Sequence, residues 1–219
     1  MPTLPTHGRK LNVRRLTVLA LLASLMLLFA FTPVGFITIT PTVAITVMHI
    51  PVLVGMLCEG FGAGLFLSFL FGLFSLLRAL TPTGALDPLF VNPLVSIVPR
   101  MLIPCVAWGA YRGVLMLAHD RTGKRPMAWA AAGLMGTLTN TVGVLGMIYL
   151  VYRDRAAEIF GTAASALMAA LAGVVLTNGI PEAVFAMIVV PVVLEALTQR
   201  RMVLPGETPR APKTKETEE

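Results

Sequence analysis

Long apolar runs, joined by short polar segments, form most of the sequence. The runs begin near Leu16, Val43, Gly62, Pro93, Met127 and Ala163. A helix needs about 20 mostly apolar residues to cross the hydrocarbon core of a bilayer. The pattern therefore predicts an all-α, polytopic membrane protein with six transmembrane helices, at about residues 16–31, 43–58, 63–80, 93–116, 127–152 and 163–197.

The last apolar run is longer than one straight span requires. Its 35 residues, 163–197, would extend well beyond a hydrocarbon core of about 30 Å. The run is interrupted by Thr-Asn-Gly-Ile-Pro at 177–181. We expect one kinked helix whose first half projects outward. The alternative is two spans, which would give seven helices and place Arg200 and Arg201 on the outer side.

The segment between the first two runs, residues 32–42, has a different composition. Pro33 and Pro41 lie near its ends, and β-branched residues dominate between them. Such residues favour extended backbone over helix. Because the segment is also too apolar for a solvated linker, we expect it to lie against the helix bundle as a lid.

Composition and charge support the membrane interpretation and orient the chain. The sequence is 56% hydrophobic and 13% charged, whereas soluble domains have roughly 45–50% apolar and 25% charged residues. The basic residues that give the net charge of +6 cluster at 9–15, 112–125 and 200–201. With six helices, the positive-inside rule places all three clusters and both termini in the cytoplasm. The basic character therefore indicates topology and not a nucleic-acid partner.

The chain is predicted to consist of three parts. Residues 1–15 form a basic cytoplasmic N-terminus, 16–198 the six-helix membrane domain, and 199–219 a cytoplasmic tail rich in Pro, Thr, Lys and Glu that is expected to be disordered. No small-residue cleavage site follows the first apolar run. We therefore expect this run to be retained as a helix and not removed as a secretory signal.

Polar side chains inside the apolar runs are the candidate functional residues. They are His49, Arg100, Asn140, Asn178 and Glu182, with Asn92 at the outer start of the fourth run. An ionisable group in hydrocarbon costs at least ~2.5–3.5 kcal/mol, so such residues usually face the bundle interior. With the predicted topology they all lie in the outer half of the bundle. We expect them to form a pocket for a polar small molecule or ion.

Several of these residues also have a purely structural interpretation. Arg100 and Glu182 are able to pair with each other, and His49 to hydrogen-bond within the core. Asn92 precedes Pro93 and is suited to cap the fourth helix. We expect Arg78 to extend its charged group to the membrane surface from a helix end. Asn140 and Asn178 carry both donors and acceptors, which suit a ligand with hydroxyl or amide groups.

The sequence offers little for catalysis or metal binding. Cys58 and Cys105 lack metal-site or redox spacing, and His49 is the sole histidine inside a predicted span. The motifs of metalloproteases and serine hydrolases do not occur. We predict no catalytic residue, cofactor or metal site, although an intramembrane enzyme and a pore or assembly factor remain alternative classes. A pore would carry polar residues through the whole membrane depth.

The order of the polar motifs resembles the membrane-embedded substrate-binding component, or S component, of energy-coupling-factor (ECF) vitamin transporters, and the pantothenate-type branch is the most similar. The resemblance covers about residues 14–198. The matching pieces are Met-His-Ile-Pro at 48–51, Glu-Gly-Phe-Gly-Ala-Gly-Leu-Phe at 59–66, Phe-Gly-Leu-Phe-Ser at 71–75, Asn-Pro-Leu-Val-Ser-Ile-Val-Pro-Arg at 92–100, Thr-Leu-Thr-Asn-Thr-Val at 137–142 and Asn-Gly-Ile-Pro-Glu at 178–182.

This resemblance implies six helices with both termini in the cytoplasm of a bacterial cell, and a multi-pass protein of the plasma membrane. The loop after the first helix would cover an outward-facing vitamin site formed mainly by the last three helices. Ala20 and Ser24 match small residues that contact a transmembrane coupling subunit, although Ser24 replaces the commoner alanine. Two cytoplasmic ATPases would supply the energy, because this chain has no phosphate-binding Gly-x-x-x-x-Gly-Lys-Ser/Thr loop.

The implied function is a high-affinity substrate-binding subunit of an ATP-driven vitamin importer, with pantothenate as the expected ligand. Arg100 would bind the carboxylate, because a guanidinium binds carboxylates in a bidentate manner. Asn140, Asn178 and His49 would bind the hydroxyl and amide groups, and Glu182 would accept from a hydroxyl or hold an asparagine in place. The alternatives are a different vitamin, such as riboflavin or folate.

Overall fold

The computed structural model describes residues 13–32, 35–40, 43–81, 86–117 and 125–199. Most of these residues are helical. The elements in chain order are α1 (Val13–Phe31), β1 (Phe36–Thr40), β2 (Val43–Thr46), α2 (His49–Glu59), α3 (Phe61–Ala79), a 3-10 helix (Asp87–Val91), α4 (Pro93–Ser96), α5 (Val98–Leu117), α6 (Arg125–Phe160), α7 (Leu167–Val174), a π-helix (Val175–Gly179) and α8 (Ile180–Gln199).

The helices have the length and composition of membrane spans. Within the described residues, five helical stretches are long and apolar enough to cross a bilayer, and α2 is a shorter apolar helix. The predicted fold class, an α-helical polytopic membrane protein, is confirmed. The orientation of the two ends stays a prediction. Residues 1–12 and 200–219, which include most of the predicted basic N-terminus and tail, lie outside the described residues.

The predicted start of the second helix was wrong. Residues 43–46 form strand β2, and helix α2 begins only at His49. β2 pairs antiparallel with β1, and Phe36 lies opposite Thr46. β-branched residues dominate both strands, Phe-Ile-Thr-Ile-Thr in β1 and Val-Ala-Ile-Thr in β2, and explain the difference, because such residues favour extended backbone. The loop expected between the first two helices is therefore the first strand of a β-hairpin.

The start of the fourth predicted helix and the end of the fifth also differ. The fourth predicted helix is interrupted at Ile97, which separates α4 from α5. The fifth, predicted to end at Tyr152, continues as α6 to Phe160 after a kink at that tyrosine, where φ is −130° and ψ is 34°. Ala156 and Ala157 are buried beyond the kink. This burial explains why a segment rich in charged residues still packs as helix.

The last apolar run is continuous, as expected for a single kinked helix. Helices α7 and α8 are joined directly by the π-helix. Pro181 lacks the N–H that would bond the carbonyl of Thr177, and its ring clashes with that carbonyl in a regular α-helix. The backbone accommodates the proline by one wider turn, in which the N–H of Ile180 bonds the carbonyl of Val175.

Close helix packing places the polar residues of different helices side by side. A Cβ atom at Gly133 of α6 would lie 2.7 Å from the carbonyl oxygen of Ala186 in α8. Glycine is therefore required at this crossing, because small residues let membrane helices approach closely. The larger buried cluster joins α2, α3, α5, α6 and α8 around Leu53 and Trp129. A second cluster around Leu89 and Ile148 packs the 3-10 helix, α4, α6 and α7 together.

Candidate ligand-binding site

A cavity of about 320 Å³ lies between the hairpin and helices α3, α5, α6 and α8. This volume is within the roughly 300–1,000 Å³ that is usual for small-molecule pockets. The polar residues that line it are Thr46, Ser75, Arg78, Asp87, Arg100, Asn140, Thr141, Asn178 and Glu182. The apolar lining consists mainly of the rings of Phe71, Phe74 and Phe90 and of aliphatic side chains from α6 and α7.

The Arg100 side chain is buried, with 5% of its surface exposed, and two hydrogen bonds hold its guanidinium at the cavity. Its Nη1 donates to the carbonyl oxygen of Val95 at 2.7 Å. That carbonyl is free because the residue four positions later is Pro99, which has no N–H to complete the helical bond. Nη2 donates to the Ser75 hydroxyl at 3.3 Å. Pro99 thus leaves the Val95 carbonyl available as an acceptor for the guanidinium.

Two aromatic rings complete the surroundings of Arg100. The carbon at the centre of the guanidinium lies 5.3 Å from the ring centre of Phe71 and 5.2 Å from that of Phe90. Cation–π contacts stabilise a desolvated guanidinium by roughly 2 kcal/mol. They fix the plane of the group but do not neutralise its charge. The Nε–H is buried without a hydrogen-bond partner.

Asn140 and Asn178 bring incompletely bonded amides to the same cavity. Both line it, and both have a buried Oδ1 without a hydrogen-bond partner. Asn140 comes from the middle of α6, and Asn178 comes from the π-helix. Val174, Asn178 and Glu182 all line the cavity at intervals of four residues. The wide turn of the π-helix keeps these positions on one face, because it has more residues per turn than an α-helix.

Glu182 is buried, with 5% of its surface exposed. Its Oε1 accepts a hydrogen bond of 2.6 Å from the backbone N–H of Thr46 in the hairpin. Within the described part of the chain, no ion pair of 4.0 Å or less joins Glu182 to Arg100. The two buried charges line one cavity but have separate partners. A simple internal pair, one alternative suggested by the sequence, was therefore wrong.

His49 and Asn92 lie outside the lining of the cavity. The Nε2 of His49 lies 2.9 Å from the Thr137 hydroxyl, which itself donates to the carbonyl oxygen of Gly133. The hydroxyl therefore accepts from His49, and the imidazole is bonded within the core. Asn92 caps α4, because its Oδ1 accepts from the N–H of Leu94 at 3.0 Å. Its Nδ2 donates to the Tyr152 hydroxyl at 3.3 Å. A ligand contact by either residue stays a prediction.

The lining also contains residues that the sequence analysis did not assign to a site. Arg78 lines the cavity together with Asp87, although we expected it to extend to the membrane surface. Phe71, Ser75 and Arg78 follow one another at helical spacing, so they share one face of α3. That periodicity was present in the sequence and was the missed signal. The sequence contained no such signal for Thr46, because its position at the cavity depends on the hairpin.

Ala20 and Ser24 lie on an exposed face of α1. The Ser24 hydroxyl donates to the carbonyl oxygen of Ala20 at 2.8 Å. Because its own helix satisfies the hydroxyl, Ser24 presents a small surface without a free polar group. The substitution of serine for the commoner alanine therefore leaves the face suitable for close helix packing.

Comparisons with known proteins identify similar sequences. The model of a family described as "ECF transporter, substrate-specific component" matches residues 14–194. The pantothenic acid transporter PanT of Lactococcus lactis is 29% identical over 170 residues, which cover 71% of this chain and 79% of that protein. The pantothenate transporter PanT of Leuconostoc mesenteroides is 26% identical over 146 residues, or 66% of this chain and 71% of that protein.

Proposed function

The chain belongs to the family of substrate-specific components of ECF transporters, and from this premise we propose that it captures pantothenate for import. The protein is a multi-pass membrane protein, and a cavity with a partly polar lining lies among its helices. Both similar proteins described above carry the name of a pantothenate transporter. The match to the family model spans residues 14–194, which include Arg100, Asn140 and Glu182.

The ligand assignment rests on one observation, that the buried Arg100 guanidinium has no negatively charged contact among the described residues. Its contacts with the described residues are a carbonyl, a hydroxyl and two aromatic rings, none of which is negatively charged. A buried charge is stable only when it is paired and hydrogen-bonded. An anionic group of the ligand would supply this charge.

Pantothenate has the chemistry that the rest of the cavity requires. It carries one carboxylate, two hydroxyls and one amide. The amides of Asn140 and Asn178, which retain bonding capacity, would bind the hydroxyl and amide groups. The three phenylalanine rings of the lining would contact the dimethyl group and the chain. Riboflavin has no carboxylate, so it would leave the Arg100 guanidinium without an anion.

Import requires partners that supply the energy. We propose that the exposed Ala20 and Ser24 face of α1 contacts a transmembrane coupling subunit, which joins this chain to two cytoplasmic ATPases. The assembly would lie in the plasma membrane of a bacterium with the cavity toward the outside. Purification from native membranes should then yield a complex with two ATPases, whereas the isolated chain should bind ligand without hydrolysing ATP.

A ligand panel on the purified chain in nanodiscs tests the assignment. Calorimetric titration would compare pantothenate, its alcohol analogue pantothenol, riboflavin and folate. We expect tight binding of pantothenate and much weaker binding of pantothenol, which has a hydroxymethyl group instead of the carboxylate. Riboflavin and folate should not bind at comparable concentrations. Equal affinity for pantothenate and pantothenol would contradict the role given to the carboxylate.

A further inference from the structure

The free edge of the β-hairpin faces the helix bundle. The N–H of Val47, the residue that follows β2, points toward the other strand and donates to the carbonyl oxygen of Gly35 at 3.1 Å. Because successive N–H groups of a strand point in opposite directions, the N–H of Thr46 points away from β1. It is therefore an edge amide with no partner within the two-stranded sheet.

An unpaired amide is costly at this place. In a soluble protein water satisfies the edge of a sheet, but irregular or edge backbone within a membrane is tolerated only where protein groups or a water-filled cavity satisfy it. Here the partner is the Glu182 carboxylate, at 2.6 Å from the Thr46 nitrogen. The hydroxyls of Thr46 and Thr141 are also close to this carboxylate. Glu182 thus lies where the hairpin, α6 and α8 meet.

We propose that Glu182 is a positioning residue that fixes the hairpin over the ligand cavity by capping the edge amide of Thr46. Both residues line the cavity, and the bond between them joins β2 to the first turn of α8. This hydrogen bond of 2.6 Å holds the end of the short strand against α8. Loss of the bond frees the last residue of β2 to move away from the helices.

The consequence for ligand exchange follows from this geometry and rests on the proposed function. A hairpin held by Glu182 closes one wall of the cavity and delays the departure of a bound molecule. Removing the carboxylate should therefore accelerate dissociation more than it slows association. A residue that only contacted the ligand would change the same rate, but it would leave the hairpin of the empty protein unaffected.

Hydrogen exchange of the ligand-free protein tests the bond directly. We would compare the wild type with Glu182→Leu, which removes the acceptor, and Glu182→Gln, which keeps an acceptor oxygen without its charge. Exchange of the Thr46 amide, resolved by fragmentation, should accelerate about tenfold or more in Glu182→Leu and less in Glu182→Gln. Asn140→Ala is the matched control, because it alters the same cavity from α6 and should leave this amide unchanged.

A mutant cycle on the backbone donor separates positioning from ligand contact. Thr46→Pro removes the N–H at an edge position that tolerates proline, whereas Thr46→Ala keeps it. Pantothenate dissociation should accelerate in Thr46→Pro and in Glu182→Leu by similar factors, and the double variant should be no faster than either. Dissociation should accelerate less in Thr46→Ala than in Thr46→Pro, because the alanine variant loses only the hydroxyl and retains the capped amide.

Two results would overturn the proposal. One is equal exchange of the Thr46 amide in the wild type and Glu182→Leu, and the other is additive effects of Thr46→Pro and Glu182→Leu on dissociation. If the wild-type protein does not bind pantothenate but Thr46 exchange responds as expected, the positioning role stands and the ligand assignment fails. Because the exchange measurement needs no ligand, the two proposals are tested separately.

Discussion

At the scale of single residues, Arg100 combines a buried charge with an unusually constrained geometry. Pro99 frees the carbonyl of Val95, Ser75 holds the other side, and two rings cover the faces. The guanidinium therefore cannot turn away to find another partner. Its orientation is set before a ligand arrives, which lowers the entropy lost on binding.

Replacing Arg100 by alanine should weaken pantothenate binding by about 1.5–3 kcal/mol, the range for a hydrogen bond to a charged group. Isothermal titration of the purified variant measures the loss. Pantothenol should bind the variant and the wild type with similar affinity, because it lacks the carboxylate that the guanidinium recognises. Arg153→Ala provides the control, since Arg153 lies over Tyr149 outside the cavity lining and should not affect either ligand. Normal pantothenate binding by the Arg100→Ala variant would contradict the assignment.

The hydrogen bond between His49 and Thr137 is expected to serve stability and not affinity. Thr137→Val keeps the side-chain shape but removes the acceptor for a fully buried imidazole. The free energy of unfolding should fall by about 1–3 kcal/mol, the cost of an unsatisfied buried donor. Unfolding in SDS measures this change.

Thr139→Val is the matched control for that variant. Its hydroxyl donates to the Met135 carbonyl of the same helix at an exposed position, so its loss should change stability little. Pantothenate affinity should be the same in both variants and the wild type. A large loss of affinity in Thr137→Val would mean that His49 takes part in the site.

The sequence predicted most of the residues that meet at the cavity but not all of their contacts. Polar groups in apolar runs are costly unless they have a partner, and on this ground four residues were identified. The structure brings these four to one cavity: Arg100, Asn140, Asn178 and Glu182. The partner of Glu182 was not predictable in this way. It is a backbone amide whose direction depends on hairpin register, which a pattern of side chains does not reveal.

At the scale of elements, the hairpin shows that an apolar run does not by itself predict a helix. Residues 43–48 are as apolar as a membrane helix, so length and hydrophobicity alone favoured helix there. Threonine and other β-branched residues reversed the outcome once a second strand of the same kind was available as a partner. The final helix was predicted better, because Pro181 interrupts its pattern at a single place.

The exposed face of α1 gives a prediction for transport. Changing Ala20 or Ser24 to tryptophan should impair pantothenate uptake by cells, because bulk on this face prevents close approach of a partner helix. Titration of the isolated variants should give unchanged affinity, since neither residue lines the cavity. Radiolabelled uptake and titration together provide the measurement.

Leu25→Trp is the control for this face. Leu25 is already large and is 40% exposed, so a second large side chain there changes the lipid-facing surface little. Uptake should remain close to that of the wild type. If the Ala20 and Ser24 variants lose ligand affinity as well, this face contributes to the fold of the bundle and not to a partner contact.

At the scale of the whole molecule, the distribution of charge predicts an orientation that the fold alone does not reveal. Single cysteines would be placed in a background that lacks Cys58 and Cys105, and labelled with an impermeant reagent on intact cells. Positions within 81–92 and 153–160 should react from outside, and positions within 119–125 only after the membrane is opened. Labelling of position 200 from outside would mean seven spans and would reverse the last helix.

The bond that caps Thr46 also imposes an order on biogenesis. Its two partners are separated by 136 positions in the chain, so the hairpin leaves the ribosome long before the helix that completes its edge. Until α8 has been inserted, that amide must donate its hydrogen bond to water or to the insertion machinery. The Thr46 amide therefore lacks its final hydrogen-bond partner until the last helix has been synthesised.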